Sequence, residues 1–303
     1  MWAVEREPEA GTAPAIPASV GRRFFTELAV SPKGMTGLAI VVLVLLVAAI
    51  APAIAPHDPA AQVTAMRFAP PAWAQGGTWS YLLGGDSLGR DIFSRVLVGA
   101  RVSIAIGFLV VTAAMIIGSL LGAVAGYAGG LADTVVMRIV DFQLSFPFIL
   151  IAIVFLAVLG PGFWSTAVAL MVGIWVNYAR LVRGEALKLR GMEYILAARC
   201  IGVGDGAILL RHVLPNVLPT IIVMATLDVA WVIIFEAALS FLGLGVQPPV
   251  PSWGVMISDG RNYLYESQWM SLGPGLAILL TSIGINLLGD FLRDTYDPRL
   301  ARL

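Results

Sequence analysis

The sequence predicts an all-α integral membrane protein with six transmembrane helices, and three observations carry that prediction. Of 303 residues, 58% are hydrophobic and 13% are charged, with a mean hydropathy of +0.87. A soluble domain carries roughly 25% charged residues, so about half of the usual solvating surface is missing. The uncharged runs are long enough to cross a bilayer, which takes about 20 apolar residues each. The positive charge is also unevenly spread, with six of the nineteen Lys and Arg residues between positions 180 and 211. The net charge is zero, so the total calls for no nucleic acid or other strongly charged partner.

Residues 1–33 are polar and rich in Pro and Ala, and carry Arg6, Arg22, Arg23 and Lys33. A cleavable leader would place its apolar core close behind the first charges. Here the apolar stretch begins after Lys33, so a retained tail (1–33) is expected ahead of the membrane domain (34–303). The first span runs from Gly34 to His57 and is stopped by Pro52, Pro56 and Pro59. A polar loop over 58–100 follows. Near its end Ile92, Phe93, Val96 and Leu97 lie at helical spacing opposite Arg90, Asp91, Ser94 and Arg95, which predicts a short amphipathic helix in the membrane interface.

Val102 to Ala132 is uncharged and supplies span two. Between Asp141 and Arg180 lie 38 uncharged residues, interrupted by Gly160-Pro161-Gly162, which predicts a tight hairpin of spans three and four. The basic stretch 185–219 comes next. Ala197-Ala198, then Gly202, then Leu214-Pro215 predict a small-residue helix, a glycine break and a second short helix closed by proline. Val217 to Gly245 forms span five, apolar except for Asp228 and Glu236. A proline-rich loop leads to span six, Met270 to Gly289. With both termini in the cytoplasm, fourteen Lys and Arg residues lie inside and five outside, so the positive-inside rule selects that orientation.

The chain lacks nucleotide chemistry. Its two lysines, Lys33 and Lys188, sit in no GxxxxGK[ST] phosphate loop. His57 and His212 form no metal pair, no GxSxG elbow occurs, and the single cysteine, Cys200, excludes an internal disulfide. An energised process must therefore draw ATP hydrolysis from another subunit. The basic stretch reads either as a docking loop for such a partner or as a juxtamembrane loop that only sets topology. A carboxylate at the bilayer centre costs about 2.5–3.5 kcal/mol and normally faces protein or water. Asp228 and Glu236 are thus candidate translocation-path residues. For Glu236 the alternative, a carboxylate hydrogen-bonded to a neighbouring helix, carries the greater weight. Asn177 and Asn286 read as interhelical hydrogen-bonding residues.

Four stretches together resemble one family. LGRDIFSRVLVGARVS (88–103), EYILAARCIGVGDGAILLRHVLPN (193–216), LSFLGLGVQPPVPSWG (239–254) and GDFLRDTYDPRL (289–300) are similar to the peptide/nickel ABC-importer permeases, specifically the C-type subunit of dipeptide or oligopeptide systems. The family's EAA loop, EAA-x3-G-x9-I-x-LP, is matched in register by Ala197, Ala198, Gly202, Leu214 and Pro215. The chain departs from it at Leu196, where Glu is usual, and at His212, where an aliphatic residue is usual.

The resemblance implies a type I ABC-importer permease fold in a prokaryotic plasma membrane. It implies a coupling helix that seats in a separate ATPase, involving Glu193, Tyr194, Ala197, Ala198, Arg199, Gly202, Asp205, Leu214 and Pro215. It also implies a homologous B-type permease, two ATP-binding subunits (or a fused pair) that hold ATP and Mg, and an extracytoplasmic peptide-binding protein facing segments 58–100 and 246–268. No cofactor is expected on this chain. A stand-alone channel or secondary transporter would need a coupling-ion site, and a membrane enzyme or scaffold would need a reactive constellation or partner surface.

Overall fold

The computed structural model describes residues 27–296, so nearly all of the expected tail lies outside the described residues. Among the described residues the regular structure is helical, apart from one isolated bridge between Gly85 and Asp91. Helix α1 (Pro32–Ile54) begins where Ser31 Oγ accepts a hydrogen bond from the Gly34 amide at 3.2 Å and Pro32 presets the first helical φ. It ends at Ala55, which Pro56 holds in an extended conformation. Leu43, Leu46 and Ile50 stay exposed, as suits a lipid-facing helix, whereas Gly37 lies close against the last helix.

Helix α2 (Ile92–Ala128) has 37 residues and would be about 55 Å long, well beyond a hydrocarbon core of about 30 Å. Its start corrects one expectation. Residues 92–97 do not form a separate interface helix. They are the first turns of α2, capped by Asp91, which accepts hydrogen bonds from the Phe93 and Ser94 amides at 3.2 Å. The face bearing Arg90, Asp91, Ser94 and Arg95 is buried, because loop 55–91 folds over it. At the other end Gly118, Gly122 and Gly126 face helix α5 (Phe163–Arg190). Cβ atoms there would lie 2.3, 2.4 and 2.6 Å from the carbonyl oxygens of Trp175, Ala179 and Arg183. Hydrogen side chains at four-residue spacing let the two backbones touch along two turns.

Span three is the second correction. Helices α3 (Gly130–Leu144) and α4 (Phe148–Leu159) meet at a 92° bend, and the 12-residue α4 is about 18 Å long, too short to cross alone. Pro147 causes the break, since it disfavours helical geometry at Phe146. Five helices are individually long and apolar enough to cross a membrane, and six crossings result only when α3 and α4 count as one bent span. The expected Gly160-Pro161-Gly162 hairpin does join α4 to α5.

Helix α6 (Glu193–Cys200) is followed by α7 (Asp205–Phe241), then α8 (Trp253–Gly260) and α9 (Trp269–Tyr296). Here lies the third correction: Leu214-Pro215 does not close a short second helix. The helix runs on through one π-helical turn, Leu209–Val213, into the membrane span. Pro215 has no amide hydrogen, and the widened turn accommodates that missing bond while Asn216 Nδ2 donates to the His212 carbonyl at 2.6 Å. The core is made by α2, α5 and α7, through Ile106 and Val110, Leu170 and Ile174, and Val232 and Ile233. Helices α1 and α9 flank it, with Gly37 and Gly284 at their crossing.

Candidate functional site

Helix α6 sits at the end of the bundle where α2 finishes and α7 starts. Ile195 and Ala198, three residues apart, form its buried face. Glu193, Tyr194, Leu196, Ala197 and Cys200 point outward. The helix closes with two hydrogen bonds, Gly202 N–H to Arg199 O at 2.9 Å and Val203 N–H to Ala198 O at 3.1 Å. That pairing requires a left-handed residue at Gly202, whose φ is +83°. A Cβ on Gly202 would meet nothing within 4 Å, so glycine is needed for its backbone conformation and not for close packing.

Two of the sequence-derived coupling residues, Arg199 and Asp205, reach back to the end of α2. Arg199 Nε donates to Tyr127 Oη at 2.9 Å, its guanidinium lies 4.6 Å from the Tyr127 ring centroid, and Tyr127 Oη donates to Asp205 Oδ1 at 2.8 Å. Tyr127, at the end of α2, was not singled out from the sequence. A lone tyrosine at a helix end carries no local signal. Nearby, Arg183 Nη2 of α5 donates to Asp133 Oδ2 of α3 at 2.8 Å, which joins those helices next to the Gly129 corner. Leu214 and Pro215 lie beyond the π turn on α7, Leu214 half-buried and Pro215 exposed, and are not part of the α6 surface.

The two membrane carboxylates differ in setting. Glu236 is 0% exposed and is held by three hydroxyl donors from three segments: Ser240 of α7 at 2.8 Å, Ser252 ahead of α8 at 3.0 Å and Ser103 of α2 at 3.2 Å. Ser103 Oγ also accepts from the Trp253 amide, and Ser252 Oγ accepts from the Val255 amide. Its lone pairs are therefore engaged in a closed polar lock among three helices. Asp228 is half-buried, and its enclosed Oδ2 has no hydrogen-bond partner. Its polar neighbour is Tyr178, whose Oη is likewise enclosed. Asn177 and Asn286 are exposed on the outer faces of α5 and α9.

The end opposite α6 holds a buried ion network. Arg90 Nε meets Asp86 Oδ2 at 2.6 Å and Arg90 Nη2 meets Asp259 Oδ2 at 3.1 Å. Arg95, 2% exposed, reaches Asp259 at 3.5 Å and Asp86 at 3.7 Å. His57 Nδ1 lies 3.1 Å from Asp91 Oδ2, and Ser94 Oγ donates to the same oxygen at 2.6 Å. Burial and the Asp91 and Asp86 carboxylates push the ionisation of the adjacent Tyr81 phenol upward. Sequence reasoning saw Arg90, Asp91 and Arg95 as a wet face and missed Asp86 and Asp259. Asp86 and Arg90 are close in sequence but lie in a turn ahead of α2, where four-residue spacing marks no common face. Among the described residues no group of three or more His, Cys, Asp or Glu is placed to hold a metal ion.

Comparison with known proteins agrees with this arrangement. Residues 118–302 match the family model of the binding-protein-dependent transport system inner membrane component. Residues 19–71 match the N-terminal TM domain of oligopeptide transport permease C. Among curated relatives, the chain is 40% identical to the di/tripeptide transport system permease protein DppC of Pseudomonas aeruginosa, over 92% of both chains. It is 43% identical to the probable D,D-dipeptide transport system permease protein DdpC of Escherichia coli, over 89% of this chain and 88% of that one. It is also 46% identical to the glutathione transport system permease protein GsiD of Pectobacterium atrosepticum, over 75% of each. Among solved structures, a chain of the MetNI methionine ABC transporter in inward-facing conformations aligns with a TM-score of 0.53 at 22% identity, covering 66% of this chain and 96% of that one, a likeness of fold. The fold is that of type I ABC-importer permeases. The chain belongs to the binding-protein-dependent transport system inner membrane component family, the multi-pass, non-catalytic permease subunits of ABC importers.

Proposed function

We propose that this chain is the C-type half of the membrane pathway of an importer for di- or oligopeptides. The observation that carries the reading is α6, a short exposed helix with its docking face outward at the basic end of a bundle that contains no nucleotide-binding loop. In this reading Glu193, Tyr194, Ala197 and the α6 cap at Gly202 present the surface that seats in a separate ATPase, and Ala198 fixes the helix to the bundle. Arg199 and Asp205 hold that helix in place, and Leu214 and Pro215 start the span that carries its motion into the membrane. ATP and Mg are bound by two partner subunits or a fused pair. A homologous B-type permease completes the pathway, and an extracytoplasmic peptide-binding protein delivers substrate to segments 58–100 and 246–268. The positive-inside distribution supports cytoplasmic termini, with α6 on the same side. Asp228 is the carboxylate that serves the pathway. Glu236 lies in a lock that closes its end of the bundle.

The peptide substrate is supported by relatives whose names specify dipeptides, di/tripeptides and peptides over 87–92% of this chain. The test is a mild detergent pull-down of the tagged chain from its native membranes, followed by reconstitution of what comes along into liposomes. Co-purification of an ATPase, a second permease and a solute-binding protein, with ATP-dependent uptake of labelled dipeptide, is the expected outcome. Recovery of the chain alone, with uptake that needs no ATP, would replace the reading with a stand-alone transporter.

A further inference from the structure

The connection between α6 and α7 is built to be loose. Residues 201–204 contain Gly202 in the left-handed region and Gly204, and a Cβ on either would meet nothing within 4 Å. A push on α6 delivered through the backbone alone would be absorbed by rotation at these two glycines. Apolar contacts of Ile195, Ala198, Val203 and Ile208 and a Tyr194–His212 ring contact lie across the link, and one buried polar side chain bridges it. Arg199, on α6, and Asp205, the first residue of α7, are both hydrogen-bonded to Tyr127 Oη, at 2.9 and 2.8 Å. Tyr127 is 1% exposed, one residue from the end of α2, where Gly126 abuts the α5 backbone at Arg183. The direct Arg199–Asp205 separation is 3.8 Å, so the phenol is the closer partner of each. Glu193 and Ala197 are exposed on α6, and the half-exposed Tyr194 ring lies 6.3 Å from the His212 ring of α7.

We propose that Tyr127 is a positioning residue that clamps α6 and α7 to the end of α2 across the glycine link, so that displacement of α6 moves the α2–α5–α7 core instead of being lost in residues 201–204. The clamp rests on the coupling role given to α6 above. Its chemistry is a phenol that accepts from a guanidinium and donates to a carboxylate, with the ring face under the same guanidinium. Phenylalanine keeps the ring and its contact with Arg199 and removes both hydrogen bonds.

The experiment compares wild type, Tyr127→Phe, Asp205→Ala, and Tyr127→Phe combined with Gly204→Ala, each purified as the full complex with its ATPase. Gly204 has φ −66° and ψ 148°, which alanine adopts without strain, so that change stiffens the link. Two readouts are taken: backbone hydrogen exchange over residues 200–208, and dipeptide taken up per ATP hydrolysed in liposomes. Tyr127→Phe is expected to raise exchange in 200–208 and to lower uptake per ATP about tenfold, the scale of a lost hydrogen bond to a charged group. Asp205→Ala, whose side chain is 74% exposed and whose removal threatens no core, should shift both readouts in the same direction by a smaller factor. Adding Gly204→Ala should recover part of the uptake per ATP. Unchanged exchange in both single variants overturns the clamp, whatever the complex transports. Raised exchange with an unchanged uptake ratio overturns its transmitting role. If the wild-type complex shows no ATP-driven uptake, the importer reading fails, while the exchange arm still decides whether Tyr127 holds the link.

Discussion

The two ends of the bundle use the same residue types in opposite ways. At the end near α8, two arginines and two aspartates come together until Arg95 is 2% exposed, and both arginines meet both carboxylates. At the end near α6, Arg199 and Asp205 remain partly in solvent and reach each other through a phenol, while Glu193, Tyr194, Leu196 and Ala197 face outward. A buried ion network withstands the removal of neither partner, because each charge left behind sits in a medium that cannot solvate it. An exposed pair contributes little on its own. The comparison therefore separates an end whose charges hold three segments in one arrangement from an end whose charges position a short helix with an exposed face.

The strongest way to break that contrast is Asp86→Ala. Asp86 holds Arg90 and Arg95 and its Oδ1 accepts from the Leu88 and Arg90 amides at 2.9 Å, so its loss leaves two buried guanidiniums to share the single carboxylate of Asp259. Destabilisation of about 3–5 kcal/mol is expected, read as a lower thermal midpoint in detergent together with proteolytic opening of loop 55–91. A midpoint within error of wild type would mean the network is hydrated and the two ends are alike. Glu236→Ala comes next. It leaves the Ser103, Ser240 and Ser252 hydroxyls without their common acceptor, for an expected loss of about 2–4 kcal/mol. Glu236→Gln keeps the shape and one acceptor and should cost about 1–2 kcal/mol. Loss of transport with full stability in Glu236→Gln would place this carboxylate in the pathway.

How much of this was legible in the sequence depends on whether a residue's partner lies nearby in the chain. The first span, the Gly160-Pro161-Gly162 hairpin, the exposed α6 and the Gly202 break follow from local composition and turn chemistry, and they reappear in the structure. The Gly118-Gly122-Gly126 stripe was also visible in the sequence, as a four-residue repeat, but its meaning depends on the α5 backbone that approaches it. Asp259 is 169 residues from Arg90, and Tyr127 is 72 and 78 residues from Arg199 and Asp205, so no pattern in the chain announces these contacts. The amphipathic reading of residues 92–97 failed for the same reason. Periodicity identified a polar face but could not show that loop 55–91 and α8 would cover it. The bend at Pro147 was a local signal that the long uncharged run concealed.

Gly202→Val tests the other end. Valine at φ +83° costs about 1–2 kcal/mol, and the strain falls on a surface cap where an added Cβ meets nothing within 4 Å. The bundle should therefore assemble with a nearly unchanged thermal midpoint, while α6 loses its closing hydrogen bonds and uptake per ATP falls. Normal uptake with this substitution would remove the coupling role from the α6 cap.

The smallest effect on stability is expected from Leu196→Glu, which places the residue usual in the family's EAA loop at an exposed position on α6. Leu196 is half exposed and makes no buried contact, so the isolated chain should change by no more than about 0.5 kcal/mol. Binding of the ATPase, in contrast, depends on what that subunit presents to this position. If the partner's groove is apolar here, a carboxylate loses its hydration on docking and the pull-down yield falls. If the groove offers a cation, the yield rises or holds. Either shift, set against an unchanged thermal midpoint, would show that the α6 surface is read by a partner and not by its own bundle. No shift in yield would move the docking contact off Leu196 and onto the Glu193–Tyr194–Ala197 side of the helix.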